Sequence, residues 1–357
     1  VSGSSKLTKI TDGAVSFDAS GDNLSLATST DLSFGTGDFT IETYAYLNGY
    51  SNGPYLFDFR DSGSDTGTTN RVVMYVDSSA GTLRFWLNGS ARITDSQVRL
   101  NSWNHYALVR SGSTTTLYVN GISQGTYSDS TNYSGAPIVI GQRQGTASQS
   151  WDGFISNVRI VKGTALYTSR FTPPSAPLTN VTNTKLLCCQ SNTQAATAAV
   201  SPNISGTNDG TVWSSFFSLD SASYYWADNQ SPGRAFNGNV NNSAISEGNG
   251  SSFTWTPIPA LSVSSSFEIY RGTDTTSNTV EYKLNDGSWQ TFPKSSWTEI
   301  ATSGSITKLE IRSSAANPSL SAVRLDSTIL LDPIEPLNDA AATNFNPFNT
   351  DINTVRG

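Results

Sequence analysis

Three aspartates stand close together in Asp58-Phe-Arg-Asp-Ser-Gly-Ser-Asp65, where an apolar run gives way to a polar loop. Hard cations are held by clustered oxygen ligands, mostly carboxylates and carbonyls on loops. Asp58, Asp61 and Asp65 therefore predict a Ca2+ site, in a stretch whose Asp, Ser and Gly also suit a solvated turn. A second chemistry is sugar recognition. It needs an aromatic plane for the apolar side of a pyranose and polar groups for the hydroxyls. Tyr44, Tyr46, Arg84 and Trp86 alternate with the apolar residues Ile41, Leu83 and Phe85. They fall on faces turned away from a core and form the candidate ligand-binding set, on an open sheet surface. The run Tyr224-Tyr225-Trp226, just ahead of Asp228-Asn-Gln230, reads either as a ligand edge or as an inter-domain contact.

Catalytic constellations are missing. The single histidine, His105, lies in the strand-like run Trp103–Arg110, and no Gly-x-Ser-x-Gly elbow or phosphate-binding loop accompanies it. A Ser–His–Asp triad or a His-rich metal site would need that histidine; inside a strand it reads as structural. Cys188 and Cys189 are adjacent and lack the paired spacing of a zinc site. Neighbouring cysteines rarely bridge each other because the geometry is strained. They read as two small apolar residues in a strand. The expectation is a protein that is not an enzyme.

The elements that must position these residues are strands. Asp38–Leu47 alternates for its whole length, with Phe39, Ile41, Ala45 and Leu47 on one face and Thr40, Glu42, Tyr44 and Tyr46 on the other. That is period 2, not 3.6. Similar runs recur along the chain, punctuated by Asn88-Gly89, Asn120-Gly121 and Asn285-Asp-Gly287, which are hairpin turns. Many short strands at this spacing predict an all-β fold of tandem antiparallel β-sandwiches. The boundaries read as an N-terminal segment 1–12, a first sandwich 13–190, a linker 191–205, a second and smaller sandwich 206–333, and a segment 334–357 leading to a further domain.

Composition agrees. Hydrophobic residues make up 36% and charged residues 14% of 357 residues, while eight Trp, fourteen Tyr and sixteen Phe supply the core. The net charge of −7 repels phosphate backbones, so nucleic acid is not an expected partner. No apolar stretch approaches the ~20 residues that span a bilayer, so no membrane insertion is expected. Val1–Gly13 is polar and small, unlike a signal peptide, and lacks an initiator Met, as in a processed chain or a piece of a longer product. Without useful disulfides, folding is expected in a reducing cytoplasm.

Four segments, in order, resemble the laminin G-like (concanavalin A-like) jelly-roll family: Phe17-Asp18 with Gly21-Asp-Asn-Leu24; Phe34-Gly-Thr-Gly-Asp-Phe-Thr-Ile-Glu42; Trp103-Asn-His-Tyr-Ala-Leu-Val-Arg110 with Leu117-Tyr-Val-Asn-Gly121; and Gly153-Phe-Ile-Ser-Asn-Val-Arg-Ile160. The resemblance spans residues 13–190. It implies a carbohydrate-binding type of module, often with calcium at its rim. At the family's second calcium position, on the closing strand, Ser156 stands where an Asp is usual. Hydrolases of this fold carry Glu-x-Asp-x-x-Glu on one strand. Residues 1–190 hold one Glu, Glu42, and no second carboxylate follows it on its strand.

A narrower resemblance joins Val158–Tyr167, Arg170-Phe-Thr-Pro-Pro174, Thr184–Gln190 and the tail Asn346–Gly357 to large virion proteins of marine and cyanobacterial phages. It implies a phage virion protein, a tail fibre or capsid-surface fibre, presenting binding modules for host-surface attachment. Its partners would be other virion proteins and a host cell-surface glycan, its place the virion surface, and its state a homo-oligomer, with a trimer favoured. The alternatives are a purely structural decoration or assembly protein with no glycan ligand, and an adhesin on a bacterial cell surface. In the second half, Arg234-Ala-Phe-Asn-Gly-Asn239 resembles the Ala-Phe-Asp-Gly motif of galactose-binding-like sandwiches, with Asn237 in place of the Asp.

Overall fold

The alternation in Phe39–Leu47 does what period 2 requires. Phe39, Ile41, Ala45 and Leu47 face a core and are at most 2% exposed. The structure, a computed structural model, describes residues 13–60, 70–135, 137–195, 197–202, 211–226, 232–238, 240, 243–247, 251–272, 280–314, 317–332, 334–337 and 340–348. Among these the elements are strands and short 3-10 turns, the all-β class expected. The chain divides into two compact units: Val1–Pro202 with Pro336–Gly357, and Asn203–Glu335.

Among the described residues the first unit has two large antiparallel sheets and a two-stranded one, Gln142–Arg143 with Thr146–Ser150. One of the large sheets runs Ile122–Ser128, Thr114–Val119, Trp103–Ser111, Phe39–Leu47, Asp152–Lys162, Ala14–Asp18, Ala341–Thr343. Thr184–Cys188 also pairs with Asp152–Lys162 and carries Ala198–Val200 beyond it. The other sheet runs Glu335–Leu337, Asn23–Leu26, Ile138–Ile140, Tyr55–Asp58, Val73–Asp77, Thr82–Leu87, Ser90–Asp95. Leu108, Leu117, Ile155 and Ile160 of the first sheet and Leu24, Phe85, Leu87 and Ile140 of the second are fully buried. Trimming one such Leu or Ile to Ala costs roughly 2–5 kcal/mol. Cys188 and Cys189 are buried free thiols, with Cys188 in the strand as expected.

Both Asn-Gly hairpins form. Asn88 and Gly89 have φ of 49° and 79°, Asn120 and Gly121 of 50° and 76°. Positive φ at both turn positions matches the twist of the flanking strands. At Gly121 a second demand applies, because a Cβ there would lie 1.8 Å from the Phe171 carbonyl oxygen. Phe171 belongs to the Pro-rich segment 164–178, which crosses the outer face of the first sheet. Ala165, Tyr167 and Phe171 pack there on Ala107, Val109 and Tyr118.

Two expected linkers are corrected in part. Residues 334–357 do not read as a linker throughout: Ala341–Thr343 pairs antiparallel with Ala14–Ser16 and extends the first sheet. Within 191–205, Ala198–Val200 adds an edge strand beside Leu187 and Cys188. Both are Ala-rich and lack alternation. An exposed sheet edge satisfies their backbone groups whatever their side chains.

The second unit packs sheets around Phe253, Trp255, Phe267, Ile269, Ile311 and Val323, all fully buried. One sheet runs Phe217–Leu219, Ser252–Trp255, Leu309–Ser313, Val280–Leu284, Gln290–Thr291; another runs Ser296–Ala301, Phe267–Arg271, Ala322–Leu325, Thr328–Ile329. The Ala-Phe motif lies in the 3-10 turn Pro232–Phe236, where Ala235 and Phe236 fill this core. Trp226 also packs inward, against Phe217 and Phe253, while Tyr225 is 59% exposed. The loop 228–230 lies outside the described residues.

Candidate functional site

The outward face of the seven-stranded sheet gathers aromatic and charged groups. In Thr82–Leu87, Leu83, Phe85 and Leu87 point into the core, so Thr82, Arg84 and Trp86 point away. Strand register sets Val73 beside Trp86, Tyr75 beside Arg84 and Asp77 beside Thr82. The next strand adds Tyr55 beside Tyr75 and Asp58 beside Val73. The Tyr55 and Tyr75 rings stack with centroids 5.0 Å apart. Arg84 Nη1 lies 2.7 Å from Asp77 Oδ2 and 3.4 Å from the Tyr75 hydroxyl. Hydrogen bonds from Ser79 and from the Ala80 backbone, with the Arg84 charge, hold the Asp77 carboxyl below its ordinary range.

A buried ion pair supports this face. Arg60 Nε and Nη2 donate to Asp58 Oδ1 and Oδ2 at 2.9 and 2.6 Å. Its guanidinium carbon lies 5.5 Å from the Tyr55 ring centroid and 5.6 Å from that of Trp86. Arg143 approaches Tyr55 at 6.0 Å. Burial raises the Tyr55 phenol above its ordinary value, against the pull of Arg60 and Arg143, so it stays neutral.

The calcium expectation changes at Asp58. Its side chain is 0% exposed, and its oxygens also accept from the backbone N–H groups of Arg60 and Gln144. Asp58 is the counter-ion of Arg60, not an open cation ligand. Asp61 and Asp65 lie outside the described residues. Among the described residues no three His, Cys, Asp or Glu side chains gather as a metal-binding group.

Of the four expected sugar-binding residues, Arg84 and Trp86 share a face, but Tyr44 and Tyr46 do not join them. The tyrosines lie on Phe39–Leu47, in the other sheet. Tyr44 is 6% exposed, donates its hydroxyl to the Pro174 carbonyl and packs against Leu178, Leu187 and Phe348. Tyr46 is half-buried among Trp103, Phe154 and Phe345. Their face is therefore covered by the chain itself. Alternation along one strand reports which residues share a face, and it carries no information about which sheet the strand joins. Tyr55, Tyr75, Asp77 and Arg60 were missed for the same reason. For Tyr75 and Asp77 the signal was the alternation of Val73-Met-Tyr-Val-Asp77, legible only once its partner strands are known.

Beneath the crossing segment lies a second buried cluster. Glu42 Oε1 accepts from Arg159 Nε and Nη2 at 2.8 and 2.6 Å, and Oε2 accepts from His105 Nε2 and the Tyr167 hydroxyl at 2.9 Å each. Burial alone would raise the Glu42 carboxyl, but the His105 hydrogen bond and the Arg159 charge outweigh it and hold it below its ordinary value. Burial, with the neighbouring Glu42 charge, pushes the Tyr44 and Tyr167 phenols well up. His105 is buried in this network, with its Nε2 on Glu42.

Residues 18–166 match the concanavalin A-like lectin/glucanases superfamily. This stretch is a concanavalin A-like jelly roll. No curated protein matches the chain. Among solved structures, the jelly roll and its surroundings are similar to a native heptameric SAP-like pentraxin from Limulus polyphemus, at 24% identity over 45% of this chain and 80% of that one, TM-score 0.35. Domain 4 of the extracellular arabinanase AbnA from Geobacillus stearothermophilus, in complex with arabinotriose, matches at 13% identity over 43% and 71%, TM-score 0.34. The CBM40 of the Ruminococcus gnavus IT-sialidase, bound to α2,3-sialyllactose, matches at 17% identity over 43% and 91%, TM-score 0.33.

Proposed function

We propose that this chain is a non-catalytic glycan-binding protein, and that the concanavalin A-like jelly roll binds sugar on the face carrying Trp86, Arg84, Asp77 and Tyr75. The observation that carries this reading is the half-buried Trp86 ring. It is steadied by Arg60, its indole N–H has no protein partner among the described residues, and the Arg84–Asp77 pair stands on the neighbouring rows. A pyranose stacks on such a ring while the acid and guanidinium take its hydroxyls. The non-catalytic part rests on the carboxylates. Asp58 and Asp77 on this face are ion-paired, and Glu42 is buried under Arg159, His105 and Tyr167. The setting we propose is a virion surface fibre for host attachment. It rests on the resemblance of residues 158–190 and 346–357 to phage virion proteins, and repeated copies would turn weak contacts into avidity.

The test is a glycan array probed with the whole chain, Trp86→Ala and Arg84→Met. Binding that the wild type shows and both variants lose supports the reading. Binding unchanged in Trp86→Ala removes this face from it, and silence on a broad, host-relevant array favours the packing role of a structural virion component.

A further inference from the structure

The second unit holds an outward face where two aromatic side chains leave their N–H and O–H groups unengaged. In Phe267–Arg271, Phe267 and Ile269 enter the core, so Glu268 and Tyr270 point outward. Register places Trp297 and Ala322 on either side of Tyr270, and Glu299 and Arg324 on either side of Glu268. The Trp297 and Tyr270 rings meet edge to face at 5.3 Å. Arg324 stands two strands from Trp297, yet its guanidinium carbon lies 4.2 Å from that ring's centroid. Adjacent strands are about 4.8 Å apart, so the guanidinium and the indole meet over the middle strand, where Glu268 holds Arg324. Arg324 is itself fixed by Glu268, with Nε–Oε2 at 2.6 Å and Nη2–Oε1 at 2.5 Å.

Two core tryptophans engage their indole N–H, while that of Trp213 is buried without a partner among the described residues. Trp255 donates to the Trp213 carbonyl at 2.8 Å and Trp151 to the Tyr46 carbonyl at 3.0 Å. The half-buried Trp297 and Tyr270 donate to no acceptor among the described residues. An outward pair of aromatic rings, with free N–H and O–H groups and a fixed acid–base pair alongside, fits the amphipathic surface of a sugar ring. Charge narrows the class. Glu268 and the exposed Glu299 outnumber Arg324 on this face, which disfavours phosphates, uronic acids and other anions.

We infer that Trp297, Tyr270, Glu268 and Arg324 form a second saccharide platform, specific for neutral pyranosides. It stands independently of the Trp86 face. The test is native gel electrophoresis of the whole chain through soluble neutral polysaccharides (galactomannan, xyloglucan and mixed-linkage β-glucan) and through polygalacturonate. Wild type, Trp297→Ala, Tyr270→Phe, Trp86→Ala and the double tryptophan variant are compared.

The expected result is retardation in a neutral gel that Trp297→Ala weakens roughly tenfold or more, that Tyr270→Phe weakens less, and that Trp86→Ala retains. Polygalacturonate leaves this component untouched. If Trp297→Ala melts early, Tyr270→Phe, which keeps the ring, decides in its place. Trp297→Ala or Tyr270→Phe with wild-type retardation in every neutral gel overturns the inference, and leaves the Trp86 reading standing if Trp86→Ala has lost retardation. Loss in Trp297→Ala alone upholds the inference and leaves the Trp86 face to be decided on the glycan array. No retardation of the wild type in any gel overturns both.

Discussion

Asp58 and Arg60 form a two-point ion pair with 0% and 1% of their side chains exposed. Such a pair fixes geometry more than it adds stability, because desolvation offsets much of the attraction. What it fixes here is the guanidinium between the Tyr55 and Trp86 rings. Asp58→Asn leaves the Arg60 charge buried without its counter-ion, which costs about 3–5 kcal/mol. Thermal melts in calcium and in excess EDTA check this. The loss is expected to be equal in both, whereas a calcium-dependent loss would return Asp58 to the role of metal ligand.

Glu42 gives the pH dependence. Its carboxyl is held below 4.5 in the folded protein, so the stability it contributes is fully present above the unfolded value and is lost as pH falls through the folded one. Burial works against this and the His105 and Arg159 contacts overcome it. Urea titrations at about pH 7 and about pH 3.5 are expected to show Glu42→Gln costing about 3–5 kcal/mol at the higher pH, where Arg159 loses a buried partner, and less at the lower. An equal cost at both would mean the Glu42 charge does not matter to the fold.

Gly121→Ala tests the crossing segment. The added Cβ would meet the Phe171 carbonyl oxygen at 1.8 Å, on a backbone with φ of 76°. Either Phe171 moves or the hairpin does, at a cost of about 1–3 kcal/mol. Trypsin reads which one. Cleavage after the exposed Arg170 should quicken many-fold if the segment lifts, and an unchanged digestion pattern would place the strain in the turn.

Much of this architecture was legible because its signals are local. Phe39–Leu47 alternates, and Asn88-Gly89 and Asn120-Gly121 can hardly be anything but hairpin turns. The site was half legible. Arg84 and Trp86 point outward as their alternation requires, but Tyr44 and Tyr46 are roofed by Pro174, Leu178, Phe345 and Phe348. The residues that cover Tyr44 and Tyr46 lie about 130 or 300 positions downstream, in segments rich in Pro, Asn and Ala. Contacts of that range leave no periodic trace.

The returning segment Ala341–Phe348 yields the last prediction. Its strand pairs with Ala14–Ser16, and its two phenylalanines add to the cover over the outward rings of the first sheet. Phe348 lies 5.1 Å from Tyr44, and Phe345 lies 5.1, 5.4 and 4.7 Å from Tyr46, Trp103 and Phe154. Phe345 is 43% exposed, so its burial is partial and its loss should cost less than that of Phe348. Phe345→Ala with Phe348→Ala is expected to destabilise the first unit by about 2–4 kcal/mol and to raise binding of a hydrophobic dye. The isolated stretch 13–202 should show the same melt depression, because it lacks both rings and the edge strand. A 13–202 fragment as stable as the whole chain would show instead that the jelly roll closes its own core and that Ala341–Phe348 merely rests on it.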